Sequence, residues 1–179
     1  MPSDSPFDGE LIRLRAREQA DLSQLNALFD DPEVLAGLAS VTFPQPLAGI
    51  REWFARTRQS EDQVTFVIET LDQRRAIGIC GLEAIDRRAR TAQFGIWIGK
   101  PDWGKGYGTD ATRTICRFGF RQMNLHRITL HVIADNAKAI TAYERAGFRR
   151  EGTLREAHFV GGRRVDLQLM GMLADELKD

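Results

Sequence analysis

Residues 94–111 constrain the fold more than any other stretch: Phe-Gly-Ile-Trp-Ile-Gly-Lys-Pro-Asp-Trp-Gly-Lys-Gly-Tyr-Gly-Thr-Asp-Ala. Phe94, Ile96 and Ile98 alternate with Gly95, Trp97 and Gly99, a strand pattern with apolar residues on both faces. Pro101 and Asp102 end it. Gly104, Gly106 and Gly108 then fall at every second position and lead into a helical pattern over 109–123. A glycine turn between strand and helix leaves backbone N–H groups unpaired and unobstructed. The helix N-terminus adds about half a positive charge. Such a turn is a pocket for an anion, best suited to phosphate.

The turn is not a P-loop, because Lys105 sits between glycines with no Ser or Thr after it. Nor is it the Gly-x-Gly-x-x-Gly dinucleotide fingerprint. It resembles the pyrophosphate loop of the GNAT acetyltransferase superfamily, Arg/Gln-x-x-Gly-x-Gly/Ala. Gly106 and Gly108 fill the two glycine places, and Trp103 stands where Arg or Gln is usual. The longer string from Trp103 to Thr109 resembles the branch of ribosomal-protein N-terminal acetyltransferases.

A second stretch points the same way. After a strand pattern over 127–134 come Asn136, Ala139, Tyr143, Gly147 and Phe148. They resemble the family's Asn-x-x-Ala/Ser-x-x-x-Tyr-x-x-x-Gly-Phe segment. Asn136 and Tyr143 are two helical turns apart, so they share a face on which Ala139 leaves room for a ligand. Asp135 or Asn136 suits the N-cap, Arg145 the last turn and Gly147 the position past the end.

Length and composition set wider bounds. A chain of 179 residues predicts one domain, here 9–179, after a frayed tail over 1–8 rich in Pro, Ser and Asp. With 25 basic and 25 acidic side chains there is no overall field to attract nucleic acid or an anionic membrane. Arg87, Arg88 and Arg90 lie between two strand patterns and read as a solvated hairpin turn. The apolar runs are too short to span a bilayer, and no signal peptide is visible. Cys80 and Cys116 have no metal spacing and read as buried thiols of a cytosolic protein. The three histidines form no ligand pattern, so no metal is expected.

Taken in order, the pattern predicts a strand over 10–15, helices over 21–30 and 32–35, a loop over 37–46 and a helix over 48–58. Its inward residues would be Ile50, Trp53, Phe54 and Thr57. Strands follow over 64–71, 76–86 and 91–99, the first two apolar on both faces. Then come the glycine-turn helix, the strand over 127–134, the Asn136 helix and an extended stretch over 148–160. A Gly161-Gly162 turn and a return strand over 163–173 complete the chain, with Val165, Leu167 and Leu169 alternating against Asp166, Gln168 and Met170. This order is α/β with a single mixed, mostly antiparallel sheet flanked by helices. The GNAT resemblance implies that the sheet splays at its fourth and fifth strands and holds acetyl-CoA in the split.

The resemblance also implies the site. Acetyl-CoA would contact Ile96, Trp97, Ile98, Gly104, Lys105, Gly106, Tyr107, Gly108, Thr109, Asn136, Ala139 and Tyr143. A free backbone N–H near Ile98 would serve as oxyanion donor, and Tyr143 would protonate the leaving thiolate. Many relatives carry a base Glu where this chain has Gln93. Glu83 or Asp86 could replace it through water, and Glu156 or His158 could approach from the acceptor side. Cys116 lacks a neighbouring His or Asp in sequence and reads as core, not nucleophile. The implied activity is direct acetyl transfer to a primary amine: a protein N-terminus, a polyamine, an aminoglycoside or an amino acid. The alternative is a non-catalytic acyl-CoA-binding module. A monomer or homodimer is expected, with loop 37–46 and the Gly161 hairpin reading the acceptor.

Overall fold

The computed structural model describes residues 5–39, 48–49, 51–52 and 61–177. The expected inward residues Ile50, Trp53, Phe54 and Thr57, and loop residues 40–46, lie outside them. Seven strands form one sheet: β1 Ile12–Arg15, β2 Val64–Thr70, β3 Ala76–Asp86, β4 Thr91–Ile98, β5 Arg127–Ile133, β6 Arg149–Val160 and β7 Arg163–Leu173. Their order is β1-β2-β3-β4-β5-β7-β6. Short helices α1, Leu22–Phe29, and α2, Pro32–Ala36, precede β2. The glycine turn enters α3, Tyr107–Gln122, and α4, Ala137–Ala146, links β5 to β6.

Local chemistry sets these boundaries. Asp31 caps α2 by accepting from the Glu33 N–H, with Pro32 at the first helical position. Asn136 caps α4 by accepting from the Ala139 N–H at 3.2 Å, and Gly147 ends that helix at φ 117. The glycine-turn helix starts at Tyr107, two residues before the expected Thr109, because Gly106 itself takes the N-cap position.

The sheet pairing positions the site. β1 to β4 are antiparallel neighbours, with β3 and β4 paired from Glu83↔Gln93 to Gly78↔Ile98. β4 and β5 run parallel and pair only over Thr91↔Arg127, Ala92↔Ile128 and Gln93↔Thr129. Beyond Gln93, β4 stays with β3, while β5 stays with β7 as far as Ile133↔Leu167. The sheet therefore splits between Phe94 and Leu130.

One face carries the main core: Leu82, Phe94, Ile128 and Leu130 under Ala111, Ile115, Phe120 and Ile140 of α3 and α4. The other carries a smaller cluster of Leu25, Val67, Ala76 and Ile79, with Trp97 against it. Cys80 and Cys116 are buried in the main core, and burial pushes both thiols up.

Two expectations change. Phe7 packs at 5.7 Å from Phe66 and 5.3 Å from Phe118, and Asp8 bridges to Arg13. The packed body thus reaches ahead of residue 9 into the segment expected to fray. In β7, Met170 and Met172 are fully buried as well as Val165 and Leu167, because helices cover one face where alternation suggested solvent. Asp110 fastens β1 to α3, accepting from the N–H groups of Glu10, Leu11 and Ile12 at 3.1, 2.7 and 3.1 Å.

Candidate active site

The split opens into a cleft of about 1070 Å³. Its walls are the free half of β4, the glycine turn with the start of α3, the end of β5 and α4. Gly37 to Ala39 and Val160, Gly161 and Arg163 also line it.

On β4, Gly99 donates its N–H to the Ile77 carbonyl at 2.8 Å. Backbone groups alternate sides along an antiparallel edge, so Ile96 and Ile98 turn theirs toward β5. There the strands have parted. The Ile98 carbonyl is taken by the Trp103 indole, whose Nε1 donates at 2.6 Å. The Ile98 N–H is left facing the split.

At the glycine turn, Gly104 and Gly106 adopt φ 75 and 88, the left-handed region that favours glycine. α3 then opens with the N–H groups of Tyr107, Gly108 and Thr109 ahead of its first backbone bond, Asp110 N–H to Gly106 at 3.1 Å. All three residues line the cleft. A Cβ at Gly104 would meet nothing within 4 Å, and one at Gly108 only Ile98 Cδ1 at 3.7 Å. The cradle is open toward a ligand and suits a pyrophosphate.

Beneath it lies Asp102, its side chain fully buried. It accepts from Arg75 at 2.9 Å and from Lys105 at 2.9 Å. Burial alone would raise the carboxyl, but the hydrogen bonds from Arg75 and Lys105 outweigh it and hold it below the usual carboxylate range.

Tyr143 projects from α4 toward the split. Its ring meets Phe94 edge-on at 6.1 Å and Phe148 at 6.2 Å. Burial pushes its hydroxyl up to about 12, so the proton is held throughout the neutral range.

Of the residues expected to hold acetyl-CoA, Ile96, Trp97, Ile98, Gly104, Gly106, Tyr107, Gly108, Thr109, Asn136, Ala139 and Tyr143 all line the cleft. Trp97 does so along its strand, for its indole packs 5.1 Å from Phe29 on the α1 face. Lys105 does not belong to the lining, because its Nζ is drawn to Asp102. Glu83 lines the cleft beside Gln93; Asp86, Glu156 and His158 do not. Asp86 instead caps its hairpin turn, accepting from the Arg88 and Ala89 N–H groups at 2.8 Å. Glu156 sits in a bulge at φ 51.

Sequence reasoning missed His131, Asp102 and the tie made by Trp103. Trp103 carried a signal, as the departure from Arg or Gln. Asp102 and His131 carried none, since their neighbours are distant in sequence.

A family model for the acetyltransferase (GNAT) domain matches residues 12–149. The chain belongs to the GNAT acetyltransferase family. The spermidine N(1)-acetyltransferase of Vibrio cholerae is 32% identical over 165 residues, covering 90% of this chain and 92% of the relative. The spermidine N(1)-acetyltransferase of Escherichia coli K12 is 29% identical over 154 residues, covering 84% and 80%. YdaF of Bacillus subtilis, provisionally named a ribosomal N-acetyltransferase, is 33% identical over 99 residues, 55% of this chain and 54% of the relative. The crystal structure of the Vibrio cholerae spermidine N-acetyltransferase with CoA and spermine superposes with TM-score 0.86 at 30% identity, covering 92% and 96%. This GNAT enzyme therefore uses acetyl-CoA as its cosubstrate and transfers the acetyl group. Among its described residues no helix is long and apolar enough to cross a membrane.

Proposed function

We propose that this acetyltransferase acts on a small polycationic amine of the polyamine class. The observation that carries this is Glu83. It is exposed on the acceptor side of the cleft, and among the described residues no cation pairs with its carboxylate. The other carboxylates lining the cleft are engaged, Glu33 with Lys100, Asp102 with Arg75 and Lys105, and Asp135 with Arg163. A free carboxylate attracts an ammonium group, and a polyamine has a second one to anchor while the first reacts. The likeness to spermidine acetyltransferases supports the same reading.

In this reading the pyrophosphate rests on the N–H groups of Tyr107, Gly108 and Thr109. The thioester enters the split, where its carbonyl oxygen accepts from the Ile98 N–H. The amine loses a proton on the Glu83 side and attacks the thioester carbon. Negative charge gathers on the oxygen held by Ile98, a type of contact worth about 10²–10³ in rate. The C–S bond then breaks, the nitrogen releases its second proton to water, and the sulfur takes the Tyr143 proton. A hydroxyl near 12 is a weaker acid than the thiol it generates, ordinarily near about 8.5. The transfer is therefore coupled to C–S cleavage, which drives it.

The test is thiol release from acetyl-CoA against spermidine, spermine, an aminoglycoside, an amino acid and a peptide with a free N-terminus. The polyamines should give the highest kcat/KM. A preference for the peptide, or thiol release with none of them, would contradict the proposal.

A further inference from the structure

The amine must lose a proton before it can attack, and Gln93, at the last rung before the split, carries an amide that cannot take one up. Faces of the sheet decide what else is within reach. Leu82, Phe94 and Leu130 belong to the core under α3. Glu83, Gln93 and Thr129 are register neighbours on the opposite, acceptor face. Gln93↔Thr129 is the last rung joining β4 to β5. His131 lies two residues further along β5, on the same face as Thr129, about 6–7 Å past that rung. It is half-buried and lines the cleft at the point where the strands part. Glu83 lies on β3, behind Gln93, and so stands one strand spacing, about 4.8 Å, further from the split. Tyr143 and its hydroxyl proton lie on the other face, with Phe94.

We infer that His131 is the catalytic base that accepts the proton of the attacking amine, and that Glu83 attracts the substrate without accepting the proton first. This rests on the acetyl-transfer reading above. An imidazole nitrogen takes one proton from the ammonium group. The freed lone pair forms the C–N bond, the nitrogen sheds its second proton to water as the C–S bond breaks, and the sulfur receives the Tyr143 proton. Water then carries a proton from His131 back to Tyr143, so both groups end as they began. The two sides of the split thus divide the labour, with the base on the acceptor face and the acid on the α4 face. The charged groups that share the cleft with His131 are Glu83 from β3, Glu33 from α2, Asp102 ahead of the glycine turn, Asp135 from the turn into α4, Lys138 and Arg145 from α4, and Arg163 from β7. Its register partner on β7 is the uncharged Leu169.

The test is the pH profile of kcat/KM with spermidine, or whichever amine of the panel above reacts fastest, using the full chain. Wild type should rise with pH and level off before the amine's own value near about 10.4 is reached. In His131→Gln only amine that has already lost its proton can react. Its profile should climb without a plateau toward about 10.4, and its neutral-pH rate should fall about 10²–10⁴-fold. Its acetyl-CoA affinity, by calorimetry, should stay within about twofold, and free imidazole should restore part of the rate to His131→Ala. Glu83→Gln should raise KM and keep the plateau. A His131→Gln variant that keeps the plateau overturns the inference, as does loss of the plateau in Glu83→Gln. If wild type acetylates no amine at all, the acceptor proposal falls with it; if wild type is active and His131→Gln is normal, only the role of His131 falls.

Discussion

The indole of Trp103 donates a hydrogen bond to the carbonyl of Ile98 at 2.6 Å, tying the glycine turn to the end of β4. In the mechanism proposed above, one side chain therefore couples the hold on pyrophosphate to the position of the oxyanion donor. Trp103→Phe keeps an aromatic ring, smaller than the indole, and removes the bond, at about 1 kcal/mol. Acetyl-CoA Kd should rise roughly three- to tenfold with a parallel fall in kcat. Because Trp103 is 38% exposed, the melting temperature should move little. Wild-type Kd and kcat in this variant would show that the tie carries no function.

Gly106 and Gly108 should separate stability from binding. Gly106 needs φ 88, so Gly106→Ala forces a left-handed residue at about 1–2 kcal/mol and should lower the melting temperature by several degrees. Gly108 is helical, and its Cβ would meet the protein only at 3.7 Å. Gly108→Ala should therefore melt at or above the wild-type temperature yet lose acetyl-CoA affinity tenfold or more, because the methyl group enters the phosphate cradle. Melts beside calorimetry check the pair; the reverse pattern would place the phosphate elsewhere.

The parts of this site legible in the sequence were those whose causes are local. Gly106, Gly108, Asn136 and Gly147 act on their own turn or helix end; Asn136 and Gly147 cap their helix as the spacing put them, while the helix expected from Thr109 begins earlier and takes in Gly108. Residues whose partners are distant were not legible. Lys105 looked like a phosphate ligand, but Asp102, itself shared with Arg75, draws it away. Alternation in β7 misread Met170 because a strand pattern does not say what covers each face. His131 became visible only when the register placed it one step past Gln93↔Thr129.

Asp102 should make the turn acid-sensitive. Its carboxyl lies below the ordinary range in the folded chain, so its stabilisation is fully present above about 3.9 and is lost as pH falls through that value toward the folded one. Asp102→Asn should unfold at lower urea than wild type at pH 7, and the gap should close as pH falls below about 4. Urea midpoints across pH 3 to 7 measure this. A gap that stays constant with pH would show that the buried charge is not what holds the turn.

The coupling of C–S cleavage to the Tyr143 proton is most directly tested by kcat of Tyr143→Phe. The ring that packs on Phe94 and Phe148 remains, and only the transferable proton is removed. Acetyl-CoA Kd should stay within about twofold while kcat falls about 10²–10⁴-fold. A normally folded Tyr143→Phe variant with wild-type kcat would contradict the assignment of Tyr143 as the acid.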